Sequence, residues 1–428
     1  MSSWRSLFQR LDSELWWNVA FTILAMVSLL FAVNSVSMRG VFDYVGVDYR
    51  AFRCSAEIAL SSGFAQVYNL DLQEACQRDL YETYASGPWR ADFAIVPMPY
   101  LPPFVLLFVP FLLLPPLYSL ALWTVLNTAL LVLYLWRFLR TLGGRGRAVT
   151  ILKVAVSLTA FITLLLGQVN VLLLLFMGEF LLAIVRGKGF RGGLWLGGLL
   201  LKPQLLILLL PGLLIGRRFK ALLGFAVVAV VLAGLSVLLA GIPGMMGLGD
   251  FLLHYPDEMA ATVPGWMMNW RALAVNLEAA QVPALLSWGL AVVGMVGTAG
   301  VALWLWARPA GPTSQALVVT LLGTCAATCA VTWHAHVHVA LVLVAPLLFL
   351  EARRWLPDYV LNACLAVPGL IFFATTLVVP GVAPSLVGLA MLAINIYLVI
   401  RAARMVQRLR WGRASGRGPA DDVASGSA

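Results

Sequence analysis

The sequence has few charged residues, and no long soluble stretch separates its apolar runs. Aspartate, glutamate, lysine and arginine together make up 11% of its 428 residues, whereas 61% are hydrophobic. A water-soluble domain of this size cannot bury so large a hydrophobic fraction. Apolar runs of about 20 residues, the length of one helical membrane span, recur from Phe21 to Ile400. These features exclude a soluble protein and predict an all-α, polytopic membrane protein.

Acidic residues are scarcer than basic ones, and the formal net charge is +10. The arginines and lysines stand in short clusters at the ends of apolar runs, as the positive-inside rule requires, so nucleic acid is not an expected partner. Arg5 and Arg10 place the N-terminus in the cytoplasm. We therefore expect a multi-pass plasma (inner) membrane protein in contact with membrane lipids, whose polar loops opposite the basic clusters face outside.

Cysteine and histidine are rare, with five and four residues. The cysteines show no paired metal-ligand spacing, and the sequence predicts neither a metal site nor a cofactor. Cys54 and Cys76 share the first large loop and are the one plausible disulfide pair. The sequence also lacks an internal repeat, which many transporters have.

The apolar runs predict ten full spans and two broken segments in a single membrane domain, residues 1–413. Residues 37–98 form a large extracytoplasmic loop with membrane-surface helices, and 414–428 form a disordered cytoplasmic tail. The predicted spans are 17–36, 117–137, 150–166, 169–186, 221–241, 284–307, 315–332, 338–350, 358–378 and 384–401. Segments 101–114 and 192–215 contain internal or bounding prolines and are predicted to be re-entrant or broken.

Asp48 stands at the beginning of the first predicted loop helix, in Val47-Asp48-Tyr49-Arg50. A carboxylate at the edge of a low-dielectric cavity has a raised pKa and can accept a proton from a hydroxyl nucleophile. The alternative is that Asp48 is only the N-cap of the following helix.

Two other polar sites interrupt apolar runs. Gln168 and Asn170 cannot be buried unpaired without cost, so they either bind a sugar or cap a turn. Lys202 lies in the middle of an apolar segment, where an ammonium needs an anion unless it can reach the membrane surface. We interpret Lys202 as a contact to a buried phosphate or carboxylate.

His334, His336 and His338 follow Trp333 at the outer end of a predicted span. If this stretch is helical, His334 and His338 share one face. The triplet could bind zinc, but no acidic residue or cysteine stands beside it. Hydrogen bonding to a phosphate or sugar is the favoured interpretation, and packing at the membrane interface is the alternative.

Taken in order, these features resemble the GT-C superfamily of polyprenyl-phosphate-sugar-dependent glycosyltransferases, and in particular glycosyltransferase family 87, whose members are α-1,2-mannosyltransferase-like. The resemblance covers roughly Asp48 to Arg218. It rests on Val47-Asp48-Tyr49-Arg50-Ala51-Phe52, Tyr100-Leu101-Pro102-Pro103, Gly167-Gln168-Val169-Asn170 and Leu201-Lys202-Pro203.

The resemblance implies a GT-C-like bundle of about 10–12 transmembrane or re-entrant helices, with its catalytic aspartate at Asp48. It implies an inverting transferase that moves a sugar, mannose, from a polyprenyl-phosphate donor to a lipid or glycan acceptor on the extracytoplasmic face. The residues expected to bind the donor phosphate or sugar are Lys202, Arg50, Arg53, Gln168, Asn170, His334 and His336.

The sequence is also compatible with two other function classes. A transporter or flippase of a polar or lipid-linked substrate would use the segment around Lys202 to line its path. A non-catalytic assembly protein would use Asp48 only as a helix cap.

Overall fold

A computed structural model describes residues 2–86, 93–96, 98–143, 146–258, 263–307 and 314–414. Within these residues the chain forms 17 α-helices and several short 3-10 helices, and isolated bridges join its few extended segments. The predicted all-α class is confirmed. The tail predicted to be disordered lies, from residue 415 onward, outside the described residues.

The helices follow one another along the chain as α1 (Ser2–Arg39), α2 (Val47–Ser61), α3 (Leu70–Tyr84), α4 (Pro102–Val105), α5 (Pro116–Leu142), α6 (Arg147–Ala155), α7 (Leu158–Leu166), α8 (Asn170–Val185), α9 (Gly189–Gly197), α10 (Leu209–Ile215), α11 (Phe219–Glu258), α12 (Trp270–Ala279), α13 (Ala284–Ala307), α14 (Ser314–Val331), α15 (Val344–Ala352), α16 (Asp358–Val378) and α17 (Ala383–Ala414).

Seven of these helices contain a stretch long and apolar enough to cross a membrane. They are α1, α5, α11, α13, α14, α16 and α17. Helices α6 and α7, bent by 59° at a short break, make an eighth span if the pair is counted as one. The chain is therefore a multi-pass membrane protein.

Of the segments predicted as straight full spans, 150–166 is broken into the bent pair α6 and α7, and two others are shorter than expected. The run at 169–186 forms α8, which has 16 residues, and the run at 338–350 is divided between the 3-10 helix Val337–Leu343 and α15. Neither has the about 20 helical residues that a perpendicular span needs. Together with the broken segments, these short apolar helices agree with the bundle of about 10–12 segments.

The breaks expected in segments 101–114 and 192–215 are confirmed. Pro102 opens α4, which gives way to the 3-10 helix Val109–Leu113. In the second segment, α9 and α10 are separated by two 3-10 turns that meet at Lys202. Proline cannot donate the helical hydrogen bond, so the backbone at these positions is irregular. In the second segment, this irregular backbone carries the buried side chain of Lys202.

The end predicted for the span 221–241 coincides with a break in α11, after which the chain is again helical. Helix α11 continues to Glu258, and its only break inside the helix is at Gly241, with φ 65°. The predicted span ended at this residue. Two helical segments therefore meet at a kink at Gly241, and the residues that follow the kink are helical up to Glu258.

The core is centred on α14, nearly all of whose residues are buried. It packs against α8, α13, α15 and α17. Its threonines return their hydroxyls to the helix backbone, as Thr328 does to the carbonyl oxygen of Thr324. Trp306 of α13 donates to the hydroxyl of Thr324 at 2.9 Å. By contrast, α11 exposes apolar side chains such as Leu238. Such side chains are stable in contact with membrane lipid.

Helices α2 and α3 form a small unit joined by the disulfide between Cys54 and Cys76. The predicted pairing is thus confirmed. Gln73 of α3 adds a hydrogen bond from its amide nitrogen to the hydroxyl of Ser55, at 2.8 Å. Asp48 lies in the first turn of α2. The disulfide therefore helps to fix the position of the helix that carries Asp48. That these helices lie on a membrane surface stays a prediction.

Candidate active site

A cavity of about 510 Å³ brings together residues that are far apart in the sequence. Its wall includes Asp48 from α2, Gln168 from the turn between α7 and α8, and Lys202 from the broken segment. The loop after α14 completes the wall. The predicted site residues that line this cavity are Asp48, Arg50, Gln168, Lys202, His334 and His336.

Asp48 lies in the first turn of α2 but does not cap it. The N-cap is Gly46, which has a left-handed backbone (φ 76°) and no side-chain cap. The amide of Gly46 donates to the carbonyl oxygen of Leu165 at 2.8 Å, which ties the start of α2 to the end of α7. The alternative that Asp48 is the N-cap is therefore wrong, and its carboxylate is available to the cavity.

The turn that carries Gln168 is fixed against α2 and α5. Gly167 has φ 75°, and a Cβ there would come within 2.6 Å of the Cβ of Tyr49. The indole nitrogen of Trp123 donates to the carbonyl oxygen of Gly167 at 2.8 Å, and Asn127 donates to that of Gln168 at 3.3 Å. Only glycine combines this backbone with this close approach, and the result places Gln168 beside Asp48.

Lys202 points inward and not to the membrane surface. Lys202 is 4% exposed, and its Nζ donates a hydrogen bond to Oε1 of Gln168 at 3.0 Å. The amide of Gln168 donates in turn to the carboxylate of Asp48. A cation, an amide and a carboxylate thus form a connected chain along the cavity wall, and the alternative of a snorkelling lysine is wrong.

The environment of Asp48 suits a proton acceptor. Burial raises the pKa of this carboxyl above its ordinary value, while the hydrogen bond from Gln168 and the charges of Lys202 and Arg50 oppose the rise. A carboxylate with a raised pKa is a stronger base than one in water. The same neighbours favour its ionised form.

The histidine triplet is not helical, so the expected shared face is wrong. His334 and His336 lie in an extended loop, and His338 lies in the 3-10 helix that follows. The rings of His334 and His336 are 5.0 Å apart, edge to face, and those of His336 and His338 are 5.8 Å apart. Among the described residues, no group of three histidines, cysteines or carboxylates could hold a metal ion.

His334 is mostly buried, and burial lowers its pKa well below the ordinary value, with the neighbouring His336 adding to the effect. Its imidazole is therefore neutral at neutral pH. A neutral imidazole has one N–H to donate, which suits a hydrogen bond to an anion without the cost of a buried charge.

The structure does not bring Arg53 and Asn170 into the cavity wall. Arg53 donates to the carbonyl oxygen of Phe111 at 3.1 Å and to the hydroxyl of Ser119 at 3.2 Å. Asn170, at the start of α8, donates to the hydroxyl of Thr163 at 3.2 Å. Both side chains join neighbouring elements of the bundle.

Arg50 lines the cavity, but its guanidinium is already engaged. It donates to the carbonyl oxygens of Phe42 and Ala94, both at 2.7 Å, and lies over the rings of Tyr81 and Phe93. These contacts hold the segment 93–96 against α2 and α3. The positive charge of Arg50 acts on Asp48 from within this scaffold.

The apolar and aromatic part of the cavity wall is not evident from the sequence. It includes Leu158 and Ile162 of α7, Phe372 of α16, and two tryptophans, Trp266 and Trp333. Apolar residues in a membrane protein carry no local signal that separates a cavity wall from a helix interface. The one available signal was the position of Trp333 directly before the histidine triplet.

A comparison with known protein families matches residues 99–332, more than half of the chain, to glycosyltransferase family 87. Searches of curated proteins and of solved structures give no significant match. Gln168 and Lys202 lie inside the matched range. Asp48 precedes it, and His334 follows it. The length of the match is enough to conclude that the chain belongs to glycosyltransferase family 87.

Proposed function

We propose that this membrane glycosyltransferase moves mannose from a polyprenyl-phosphate donor to a lipid or glycan acceptor, with Asp48 as general base, on the extracytoplasmic face. The observation that carries the proposal is the chain from Lys202 through Gln168 to Asp48 in the wall of one cavity. A transferase of this kind needs a base for the acceptor and a cation for the leaving phosphate, and these groups supply both.

The reaction is a direct displacement at the anomeric carbon. The acceptor oxygen forms the new bond to that carbon while the bond to the phosphate oxygen breaks, and the phosphate leaves with the electron pair. Asp48 takes the hydroxyl proton as the new bond forms. The raised pKa of Asp48 brings the base closer to the working pH, where general-base catalysis is most effective.

Negative charge develops on the bridging oxygen of the phosphate as it leaves. Lys202, fixed by its bond to Gln168, and the imidazoles of His334 and His336 line the same cavity. Preorganised charges and donors of this kind stabilise the transition state more than the ground state. Their arrangement supports a phosphate as the leaving group.

The apolar part of the cavity wall supports a lipid-linked donor. Leu158 and Ile162 from α7, Phe372 from α16 and Val387 from α17 line it. A polyprenyl chain next to these side chains stays in an apolar environment while its sugar reaches the polar wall. A soluble nucleotide sugar would leave this surface uncovered, at a cost in apolar area exposed to water.

The donor class is tested with purified protein in lipid nanodiscs. Radiolabelled polyprenyl-phosphate mannose is incubated with a lipid extract of the host, and the products are separated from the donor. We expect labelled acceptor and an equal amount of released polyprenyl phosphate. Transfer from a nucleotide-linked mannose in place of the lipid donor would contradict the proposal, as would the absence of any transfer.

Gln168 offers a test through the pH dependence of kcat/KM. Because its hydrogen bond lowers the pKa of Asp48, Gln168→Leu will raise that pKa further. Activity requires the ionised carboxylate and falls as the pH drops through this pKa, so the acid limb will move to higher pH in the variant. The measurement is the rate profile from acid to neutral pH.

The matched control is Gln204→Leu, the same substitution at another amide in the cavity wall. It removes no hydrogen bond to Asp48, so its acid limb stays where the wild-type limb lies. An unmoved acid limb in Gln168→Leu would separate Asp48 from the pH dependence of the reaction.

A further inference from the structure

Trp266 stands on a turn whose backbone is held from two sides. Asn276 of α12 donates to the carbonyl oxygen of Gly265 at 2.9 Å. On the other side, the amide of Met268 donates to the carbonyl oxygen of Ala335 at 2.9 Å. The turn is therefore joined to the loop that carries the histidines.

Helix α17 packs against the same turn from behind. A Cβ at Gly388 would overlap the carbonyl oxygen of Met267 and would lie 3.2 Å from the carbonyl carbon of Trp266. Only a glycine lets α17 come this close. The backbone at Trp266 thus has little room to shift, and this fixes where its indole stands.

The side chain of Trp266 is partly exposed. Trp266 is 40% exposed and lines the cavity. Trp333, the other exposed tryptophan of the wall, already has partners on its ring: the guanidinium carbon of Arg271 lies 4.3 Å from the ring centroid, and Trp288 is stacked at 6.0 Å. Arg271 and Trp288 therefore satisfy Trp333, whereas Trp266 offers apolar surface to the cavity.

An exposed aromatic face beside polar groups is costly in water and is favourable for a ligand that covers it. A pyranose ring is such a ligand. One of its faces presents C–H groups, which carry slight positive charge and match the negative face of an indole. Its hydroxyls point outward and remain free for the polar wall.

We propose that Trp266 is the stacking platform for a pyranose ring of the donor or of the acceptor, held in place by α12 and α17. The inference rests on the proposed function for the identity of the sugar. It adds a binding residue that recognises the ring itself and not the phosphate or the lipid.

The test measures equilibrium binding in the Asp48→Asn background, so that the ligands are not consumed. The donor probe is a short-chain polyprenyl-phosphate mannose, and the acceptor probe is octyl α-mannoside. Trp266→Ala is compared with Trp266→Phe, which keeps a π face. The control is Trp136→Ala, a tryptophan of similar exposure (45%) outside the cavity wall.

We expect Trp266→Ala to weaken the binding of one probe roughly tenfold, Trp266→Phe to recover most of it, and Trp136→Ala to change neither. Weaker donor binding assigns the ring to the donor, and weaker acceptor binding assigns it to the acceptor. Unchanged affinities for both probes overturn the inference. If alanine lowers the melting temperature, Trp266→Leu replaces it, because leucine keeps apolar bulk without a π face.

The readout separates this inference from the proposed function. If the Asp48-intact protein binds the probes but transfers no mannose, the proposed function fails, and the loss of binding in Trp266→Ala still supports the platform. If the parent protein binds neither probe, both are wrong.

Discussion

Asp48→Asn lowers turnover by at least about 100-fold and leaves donor binding within a few-fold of wild type. General-base catalysis contributes about 10²- to 10⁴-fold in rate, and an asparagine amide cannot take a proton at neutral pH. The substitution keeps the size of the side chain and its ability to hydrogen-bond with Gln168. The measurement is kcat with saturating donor and acceptor, alongside the donor Kd.

The stability of Asp48→Asn is expected to change little. Gly46, and not Asp48, caps α2, so no cap is lost. Asparagine loses the attraction of the carboxylate to the first turn of the helix, worth about 0.3–1 kcal/mol, and to Lys202 and Arg50, but it also removes the opposing cost of a buried charge. A melting temperature close to that of wild type therefore accompanies the loss of turnover.

The control is Asp43→Asn, which changes a second carboxylate in the same cavity wall. Asp43 is paired with Arg39 at 3.4 Å and has no place in the chain from Lys202 to Asp48. We expect its turnover to stay within a few-fold of wild type. Near-normal turnover in Asp48→Asn, or an equal loss in both variants, would remove the base from position 48.

Lys202→Met raises the apparent donor KM by roughly 10- to 100-fold, the effect of losing one charge-assisted hydrogen bond to a phosphate. Methionine fills a similar volume, and the carboxyl of Asp48 can take up a proton when the cation is lost, so expression and melting are expected to hold. The acceptor KM is expected to change less. Initial rates across a donor series in nanodiscs give both constants.

A lysine elsewhere in the bundle serves as the control. Lys153 donates to Oδ1 of Asn362 at 3.2 Å and is not part of the cavity wall. Lys153→Met should leave the donor KM unchanged. If Lys202→Met loses its fold and the folded fraction shows wild-type kinetics, Lys202 is a structural residue and the proposed phosphate contact is wrong.

Local chemistry in the sequence predicted several features correctly. Pro203 after Lys202 predicted the broken segment, because proline cannot continue the helical hydrogen bonds. The pairing of Cys54 with Cys76 followed from their being the only cysteines of one loop. In each case the interaction involves residues that are close together in the sequence, so it can be predicted without knowledge of the fold.

The sequence did not predict which side chains face one cavity. Asp48, Gln168, Lys202 and His334 meet only because distant helices pack together. Arg50 and Arg53 stand three apart on α2, yet one lines the cavity and the other reaches Ser119. Spacing placed them on one helix, but the partners that engage each guanidinium come from other parts of the chain.

The spacing of the histidine triplet suggested a shared helical face, and that prediction is wrong. Its spacing would suit a helix, but the backbone there pairs with the turn at Met267 and Met268. That pairing is a long-range contact that wins over local preference. The same holds for the short helices α8 and α15, whose apolar runs are long enough to suggest full spans and whose N-terminal ends follow buried turns.

A direct displacement assisted by Asp48 determines the configuration at the anomeric carbon of the product, which can be measured. A single displacement with a general base inverts that carbon, whereas a carboxylate that acts as nucleophile retains it through a covalent intermediate. Donor and purified product are compared by NMR, using the one-bond coupling between the anomeric carbon and its hydrogen. We expect inversion relative to the polyprenyl-phosphate donor, and retention would contradict a direct displacement.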